Sequence, residues 1–219
     1  MQYLFQWAGL DLGTPYSCWK DLKDIVERAN RDGLRIPRFL GHDKDGARKA
    51  DSAATNKILK VIEFLKNRRS IKAVIFIRDL DNQPERRPGI EQACSNYRNA
   101  QSPLAIVIGT PNRMREAWVL NGFIPLNEQE TQILQEIKSL LNFDPCEESH
   151  RLRSNSREEP ERIRNPKVAL ERLTGSDPAR EQQCWETTSL EILHQRGKLT
   201  GLTAYLKEVE QWLMPMITT

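Results

Sequence analysis

Apolar residues recur along this chain with two different spacings. Continuous runs of β-branched and aromatic residues at 73–77 (AVIFI) and 104–109 (LAIVIG) each predict a strand covered on both faces. Apolar residues at helical spacing predict a helix over 89–99, between the two runs. Strand, helix and strand in this order form a βαβ unit, which predicts a mainly parallel sheet.

Further elements are predicted on both sides of this unit. An aromatic-rich first strand is expected over 2–8 and a short edge strand over 35–41, since Pro37 is unsuited to a central strand. The helical spacing predicts helices over 15–30, 53–67, a short segment from Pro111 with Trp118 in the core, 128–141, 166–173, 177–193 and 202–213. We therefore expect an α/β fold with a mainly parallel central sheet and helices on both faces.

The predicted domain organisation follows from length and composition. A chain of 219 residues, 38% hydrophobic, is long enough for one α/β core and an extension. Residues 144–166 are rich in Arg, Glu, Ser and Pro, which predicts an extended or mobile surface segment. We expect an α/β domain over 1–126 and a helical C-terminal extension over 127–219.

Charge and cysteine content exclude several classes of protein. The net charge of +3, from 33 basic and 30 acidic residues, excludes a polycation that binds nucleic acid by charge alone. The four cysteines form no CxxC pair, which argues against a zinc ribbon. No apolar run approaches about 18 residues, and the N-terminus lacks the pattern of a secretory signal. We expect a cytoplasmic protein without a membrane segment.

Two carboxylates follow the first apolar run, where ligands bind in parallel sheets. Residues i and i+2 of an extended segment share a side, so Asp79 and Asp81 point together while Leu80 turns into the core. Carboxylates this close repel each other unless a cation lies between them, and Mg²⁺ prefers such oxygen ligands. An ordinary strand-ending turn, with the carboxylates paired to arginines such as Arg78 or Arg86, is the alternative.

Three stretches carry a resemblance to a known family: "VIFIRDLDN", "IVIGTPNRMREAWVLNGF" and the C-terminal "NPKVALERL...GLTAYLKEVEQWL". They resemble the Toprim domain of topoisomerases, bacterial primases and OLD-family nucleases. The resemblance covers residues 70–125, extends only loosely over the remainder, and is closest to small stand-alone Toprim-like proteins of bacterial defence gene clusters. It implies a Toprim-like, Rossmann-like sheet.

The resemblance also implies a function. Asp79 and Asp81 would bind Mg²⁺ or Mn²⁺, and Glu116 would be a further acidic residue near the metal, as in enzymes that cleave a phosphodiester of nucleic acid. An ATPase partner and a role in anti-phage defence follow from the same likeness. Ala8–Gly9 stands where the family has Glu-Gly, and Asp11 is the candidate replacement. Whether catalysis is retained stays open.

Basic residues near these motifs are candidates for phosphate binding. Arg86, Arg87, Arg113 and Arg115 would form a rim around the acidic centre, and an ordinary charged surface is the alternative. His42, Asp43 and Asp45 are either extra metal ligands or part of a solvated turn.

Three functions remain open on the sequence. The first is a Toprim-like, Mg²⁺-dependent nuclease that acts with an ATPase partner. The second is a catalytically silent Toprim-like subunit that binds within a defence or DNA-repair complex. The third is a Mg²⁺ phosphohydrolase on another doubly wound fold. The sequence contains no GxxxxGK[ST], GxGxxG or GxSxG motif, so an ATPase, a dinucleotide enzyme and a serine hydrolase are not indicated.

Overall fold

The computed structural model describes residue 27 and the ranges 31–33, 51–66, 71–100 and 104–217. Several predictions lie outside these residues: the strands over 2–8 and 35–41, most of the helix over 15–30, Ala8–Gly9, Asp11, His42, Asp43 and Asp45. Within the described part the fold is mixed α/β, mostly helical, with a small parallel sheet of two strands.

The helices and strands alternate at the start and are followed by helices alone. Their bounds are α1 Ser52–Lys66, β1 Ala73–Ile77, α2 Arg86–Ala100, β2 Ala105–Gly109, α3 Glu116–Asn121, α4 Glu128–Leu141, α5 Pro166–Thr174, α6 Pro178–Glu186, α7 Leu190–Arg196, α8 Leu202–Glu208, a π-helical stretch Val209–Leu213 and α9 Met214–Ile217. None of the helices in the described ranges combines the length and the apolar character that crossing a membrane requires.

The two strands differ in burial. The backbone N–H of Ala105 donates to Lys72 O (3.2 Å) and that of Arg78 to Gly109 O (2.9 Å), so residue numbers rise together along a parallel pair. All five residues of β2 are buried, as predicted. The same prediction is wrong for β1, which is half-buried and ends at Ile77, 41% exposed. Among the described residues β1 pairs with one strand only, which leaves part of it uncovered.

The chain divides into two compact units, and each is discontinuous in sequence. The first contains the described residues up to 74 and those within 85–105, and the second contains 75–84 and 106–217. Residues on both sides of the predicted boundary, 126 and 127, belong to the second unit. In the first unit α1 packs against α2, and the Tyr97 hydroxyl donates to Glu63.

The hydrophobic core of the second unit lies among its helices. The apolar positions predicted for α4 include Leu134, Ile137 and Leu141, all of which are buried. Asn127 caps this helix by accepting from Glu130 N, and Asn142 ends it in a left-handed conformation. The helix therefore matches its predicted bounds, 128–141. Its neighbours in the core come from α3 and the residues just after it, from α5 and α6, and from the segment between α4 and α5: Val119, Leu120, Phe123, Phe143, Cys146, Leu152, Ile163, Ala169, Leu170, Leu173 and Cys184.

The segment over 144–166, expected to be extended or mobile on the surface, is exposed over 157–162 but is anchored to the core elsewhere. This stretch contains two short 3₁₀ helices, Ser149–Arg151 and Glu161–Arg164. Its few apolar side chains are the reason, because Leu152 and Ile163 are each 1% exposed and anchor the segment in the core. A polar composition therefore hid a packed segment with widely spaced apolar contacts.

The helix predicted over 177–193 is divided into α6 and α7. The Thr188 hydroxyl is buried and donates to Gly122 O at 2.5 Å, a contact 66 residues apart in sequence. Ser189 then caps α7, since its side chain accepts from Ile192 N. A tertiary hydrogen bond and a new cap thus interrupt a continuous helical pattern.

Candidate functional site

The parallel pairing of β1 and β2 continues beyond both strands and shapes the loop that carries the two aspartates. Leu80 N donates to Pro111 O at 3.1 Å, and Asp81 N donates to Arg113 O at 3.0 Å. Leu80 is 8% exposed, so it turns into the core as predicted. Asp79 is half-buried and Asp81 is exposed. Asp81 and Asn82 have φ of 48° and 63°, and these left-handed residues turn the chain away from the strand.

Three acidic residues share the electrostatic environment at this end of the sheet. Burial raises the pKa of Asp79 above its ordinary value, and the negative charges of Glu116 and Asp81 raise it further. The backbone N–H of Arg115 opposes the shift, because it donates to the Asp79 carboxylate. The structure therefore places Asp79, Asp81 and Glu116 close enough for their charges to interact. An ionised carboxylate at Asp79 costs free energy here.

The donor chemistry sets the kind of metal site that these residues can form. Within the described residues no group of three or more His, Cys, Asp or Glu side chains is arranged to hold a metal ion. A closed cage built from three or more of these side chains is therefore not present in that part of the chain. Mg²⁺ is often bound by one or two carboxylates, with waters and substrate phosphates as the other ligands. The oxygen donors of Asp79 and Asp81 fit this open type of site.

Glu116 and Arg115, at the start of α3, are both engaged by the helices that follow. Glu116 Oε1 lies 3.9 Å from Lys167 Nζ of α5. Arg115 Nη2 lies 3.7 Å from Glu181 Oε2 of α6, and its side chain is 54% exposed. Helices α5 and α6 thus supply both a cation and an anion beside the acidic residues.

Arg86 and Arg87, which were predicted to belong to the same rim, form ion pairs within the first unit. Arg86 Nε lies 3.6 Å from Asp51 Oδ2. Arg87 Nε lies 2.6 Å from Glu91 Oε1, one helical turn further along α2. Their role in phosphate binding stays a prediction.

Arg113 combines a buried side chain with a left-handed backbone conformation. It is 5% exposed, and its backbone adopts a left-handed conformation with φ of 80°. Nη2 donates to Ser154 O at 3.1 Å and to Asn155 Oδ1. Burial lowers the pKa of Arg113, and the charge of Arg153 lowers it further, whereas Asp81 raises it. The segment around Ser154 was not predicted to take part, since no local pattern links it to Arg113, 41 positions earlier.

The loop after β2 is held by residues near the C-terminus that sequence reasoning also missed. Asn112 N donates to Thr200 O at 2.7 Å, and Asn112 Nδ2 donates to Leu199 O at 3.0 Å. Gly201 has φ of 85°, and a Cβ there would lie 2.5 Å from Thr110 O. Glycine is therefore required by conformation and by contact. The only sequence signal was a turn before α8.

Trp118 is a core residue, as predicted. It is 2% exposed, stacks on Tyr205 with ring centroids 5.1 Å apart, and donates from Nε1 to Thr200 O at 2.7 Å. The indole thus helps to fix the loop containing Thr200. It is not accessible for base stacking.

Comparison of the chain with protein-family models, with curated proteins and with solved structures gives no match.

Proposed function

We propose that this protein is a Toprim-like nuclease in which Asp79 and Asp81 bind a divalent cation, Mg²⁺ or Mn²⁺, and cleave a phosphodiester of nucleic acid. A central parallel sheet of Toprim or Rossmann type would carry the two carboxylates. The resemblance of the motifs extends the proposal to anti-phage defence with an ATPase partner. The cellular setting that we propose is the cytoplasm.

One observation carries the proposal: the pKa of Asp79 is raised by burial and by two neighbouring negative charges at the carboxyl end of a parallel strand pair. Perturbed carboxylates in such positions are typical of functional sites. A divalent cation would neutralise this charge and polarise the phosphodiester. Arg115 N–H holds the Asp79 carboxylate in place, and Glu116 adds negative charge next to it.

The second candidate is a catalytically silent subunit that binds within a nucleic-acid complex. The absence of a three-ligand group among the described residues favours it. Ala8–Gly9, in place of the Glu-Gly of Toprim enzymes, favours it as well. This candidate predicts neither cleavage nor binding of divalent cations.

The test is cleavage of plasmid DNA and of labelled single-stranded DNA and RNA, with Mg²⁺ or Mn²⁺ added. We expect Asp79→Asn combined with Asp81→Asn to abolish cleavage, since the amide side chains are similar in shape but lack the charge that binds the cation. A loss of at least about 100-fold is the expected scale for a group of this kind.

The matched control is Glu171→Gln combined with Glu191→Gln, which removes two exposed carboxylates from α5 and α7. This control should cleave like the parent protein. Calorimetric titration with Mn²⁺ adds a readout besides activity, because the aspartate variant should lose the heat of binding. Cleavage that persists in the aspartate variant would contradict the proposal. Heat and cleavage absent from the parent protein would favour the silent subunit.

A further inference from the structure

The hydrogen bonds of Arg113 to other described residues leave one of its guanidinium nitrogens without an acceptor. Only one of its two terminal nitrogens has partners, Ser154 O and Asn155 Oδ1. The other, Nη1, is buried and has no hydrogen-bond partner among the residues that the structure describes. A buried donor on a charged group is costly when it is unpaired. The left-handed backbone adds to the cost, because φ of 80° is uncommon for a residue with a Cβ.

The segment that covers Arg113 carries a second guanidinium, Arg153, one residue before the Ser154 carbonyl that Arg113 binds. Arg153 is exposed, its Nε donates to His150 O at 3.0 Å, and its charge acts on Arg113. Ser154 N donates to Arg164 O at 3.1 Å, and the neighbouring Leu152 is buried. The backbone beside the two arginines is thus fixed from both sides.

The charges around Arg113 are unbalanced. Arg153 opposes the charge of Arg113, and Asp81 partly compensates it through the adjoining loop. Two guanidinium groups whose charges act on each other favour an anion that can accept hydrogen bonds from both. The planar fork of arginine matches the oxygens of a phosphate, and such charge-assisted bonds are about twice as strong as neutral ones.

We propose that Arg113 and Arg153 form a phosphate-binding subsite for the backbone of a nucleic acid. A phosphodiester would replace Asn155 Oδ1 at Arg113 Nη2 and offer a second oxygen to the unpaired Nη1, because the Asn155 side chain is exposed and its amide is a neutral acceptor. Arg153 would bind the same phosphate from the solvent side. This inference rests on the proposed function. The nucleic acid would then contact two parts of the protein. These are the acidic residues that follow β1 and the segment between α4 and α5.

The test is fluorescence anisotropy with a short fluorescein-labelled single-stranded DNA in EDTA, over about 50 to 200 mM salt. Arg153→Gln should weaken binding about 3- to 10-fold and reduce the salt slope by about 0.7, the value for one lost phosphate contact. Asn155→Ala should strengthen binding, since it frees Arg113 Nη2. If Asn155 only pins Arg113 in place, its variant will not gain affinity, and that result would overturn the subsite.

The matched control is Arg172→Gln, which makes the same charge change on α5, where Arg172 Nη2 lies 3.9 Å from Glu136 Oε2. We expect less than about a 2-fold effect there. An equal loss in both arginine variants would show a general charge effect and overturn the subsite. Inorganic phosphate at low millimolar concentration should not displace the DNA more than chloride of equal ionic strength. Stronger displacement would assign the subsite to free phosphate instead of nucleic acid.

The EDTA condition separates this inference from the proposed function. If Arg153→Gln loses DNA affinity while the aspartate variant still cleaves, the subsite stands and the cation-dependent function fails. If Arg153→Gln binds DNA like the parent while the aspartate variant loses cleavage, the function stands and the subsite fails.

Discussion

Two charged sites in the second unit bury their charges in opposite ways. Arg180 donates from Nε to Glu130 Oε1 at 2.8 Å and from Nη2 to Glu130 Oε2 at 2.9 Å. Hydrogen bonding to Glu130 raises the pKa of Arg180, and the same bonds lower the pKa of Glu130. Each partner therefore stabilises the charged form of the other.

At the candidate site both shifts have the opposite sign. Burial and negative neighbours raise the pKa of Asp79, and burial and Arg153 lower the pKa of Arg113. The charged forms are therefore destabilised by their surroundings. Burial of a charged group does not by itself indicate a functional site, because the charges of Arg180 and Glu130 are stabilised by their pairing. Burial with like charges nearby and with donors left unpaired is the stronger indication.

The largest expected effect is on the paired site. Arg180→Met should lower the free energy of unfolding by about 3 kcal/mol, because it leaves the half-buried Glu130 carboxylate without its cation. The guanidinium also lies over the Phe123 ring, 4.6 Å from its centroid, and donates to Ile124 O at 2.7 Å. Chemical denaturation monitored by circular dichroism measures the change.

Glu130→Gln combined with Arg180→Met should be less destabilising than Arg180→Met alone, since no unpaired charge remains at this position. Arg172→Met is the matched control, because its pair with Glu136 is exposed and should be worth at most about 1 kcal/mol. If Arg180→Met and Arg172→Met lowered the free energy of unfolding equally, the pair of Arg180 with Glu130 would contribute no more than an exposed surface pair.

A smaller effect is expected where the backbone holds the loop of the candidate site. Gly201→Ala places a Cβ 2.5 Å from Thr110 O at φ of 85°, so it should lower stability by roughly 1–3 kcal/mol. It should also reduce cleavage, because the displaced loop leads to Arg113 and Arg115. The two measurements are thermal unfolding and the cleavage assay.

Gly175→Ala separates the cost of the left-handed backbone at Gly201 from the cost of the contact with Thr110 O. Gly175 has φ of 64°, and a Cβ added there would meet no atom within 4 Å, so only the backbone cost of about 1 kcal/mol applies. This variant should keep full cleavage activity. A larger loss of stability at Gly175 than at Gly201 would contradict the contact with Thr110.

The smallest effect, and the one with opposite sign, is expected at Asp79. Asp79→Asn should raise the free energy of unfolding at neutral pH by up to about 1 kcal/mol, because it removes a disfavoured charge and keeps an acceptor for Arg115 N–H. The folded pKa of Asp79 lies above its ordinary 3.8, so the ionised group reduces stability above that folded pKa. The gain should shrink as the pH falls towards 3.8.

Glu130 supplies the contrasting pH dependence. Its folded pKa lies below the ordinary 4.5, so its contribution to stability is present above pH 4.5 and is lost as the pH falls through the folded pKa. Denaturation curves of the parent, Asp79→Asn and Glu130→Gln across the acidic range measure both signs. A destabilised Asp79→Asn at neutral pH would make Asp79 a structural residue like Glu130.

Local sequence patterns predicted much of the described fold. The bounds of β1 and α4 match their predicted ranges, 73–77 and 128–141. Helix α2 begins at Arg86, three residues before its predicted start, because Pro88 fits the first turn of a helix. Hydrophobic periodicity and helix-capping residues depend on positions close together in the sequence. They can therefore be recognised without the tertiary structure.

Two features that the local patterns did not predict depend on distant partners. The break between α6 and α7 depends on the bond from Thr188 to Gly122 O, and the packed segment over 144–166 depends on Leu152 and Ile163 reaching the core. Neither contact has a local signal. The average composition of a polar segment does not show that one or two of its apolar residues pack into the core.

The sequence by itself determined the parts of the candidate site that depend on neighbouring residues: two carboxylates two positions apart at a strand end, with Leu80 turned inward between them. Only the tertiary structure decided which charges surround them, because Glu116, Arg113, Arg153 and the Thr200–Gly201 turn arrive from separate stretches of the chain. A charged group responds to every charge within a few ångströms, whatever its place in the sequence. For that reason the residue types were predictable here, whereas their pKa shifts and partners were not.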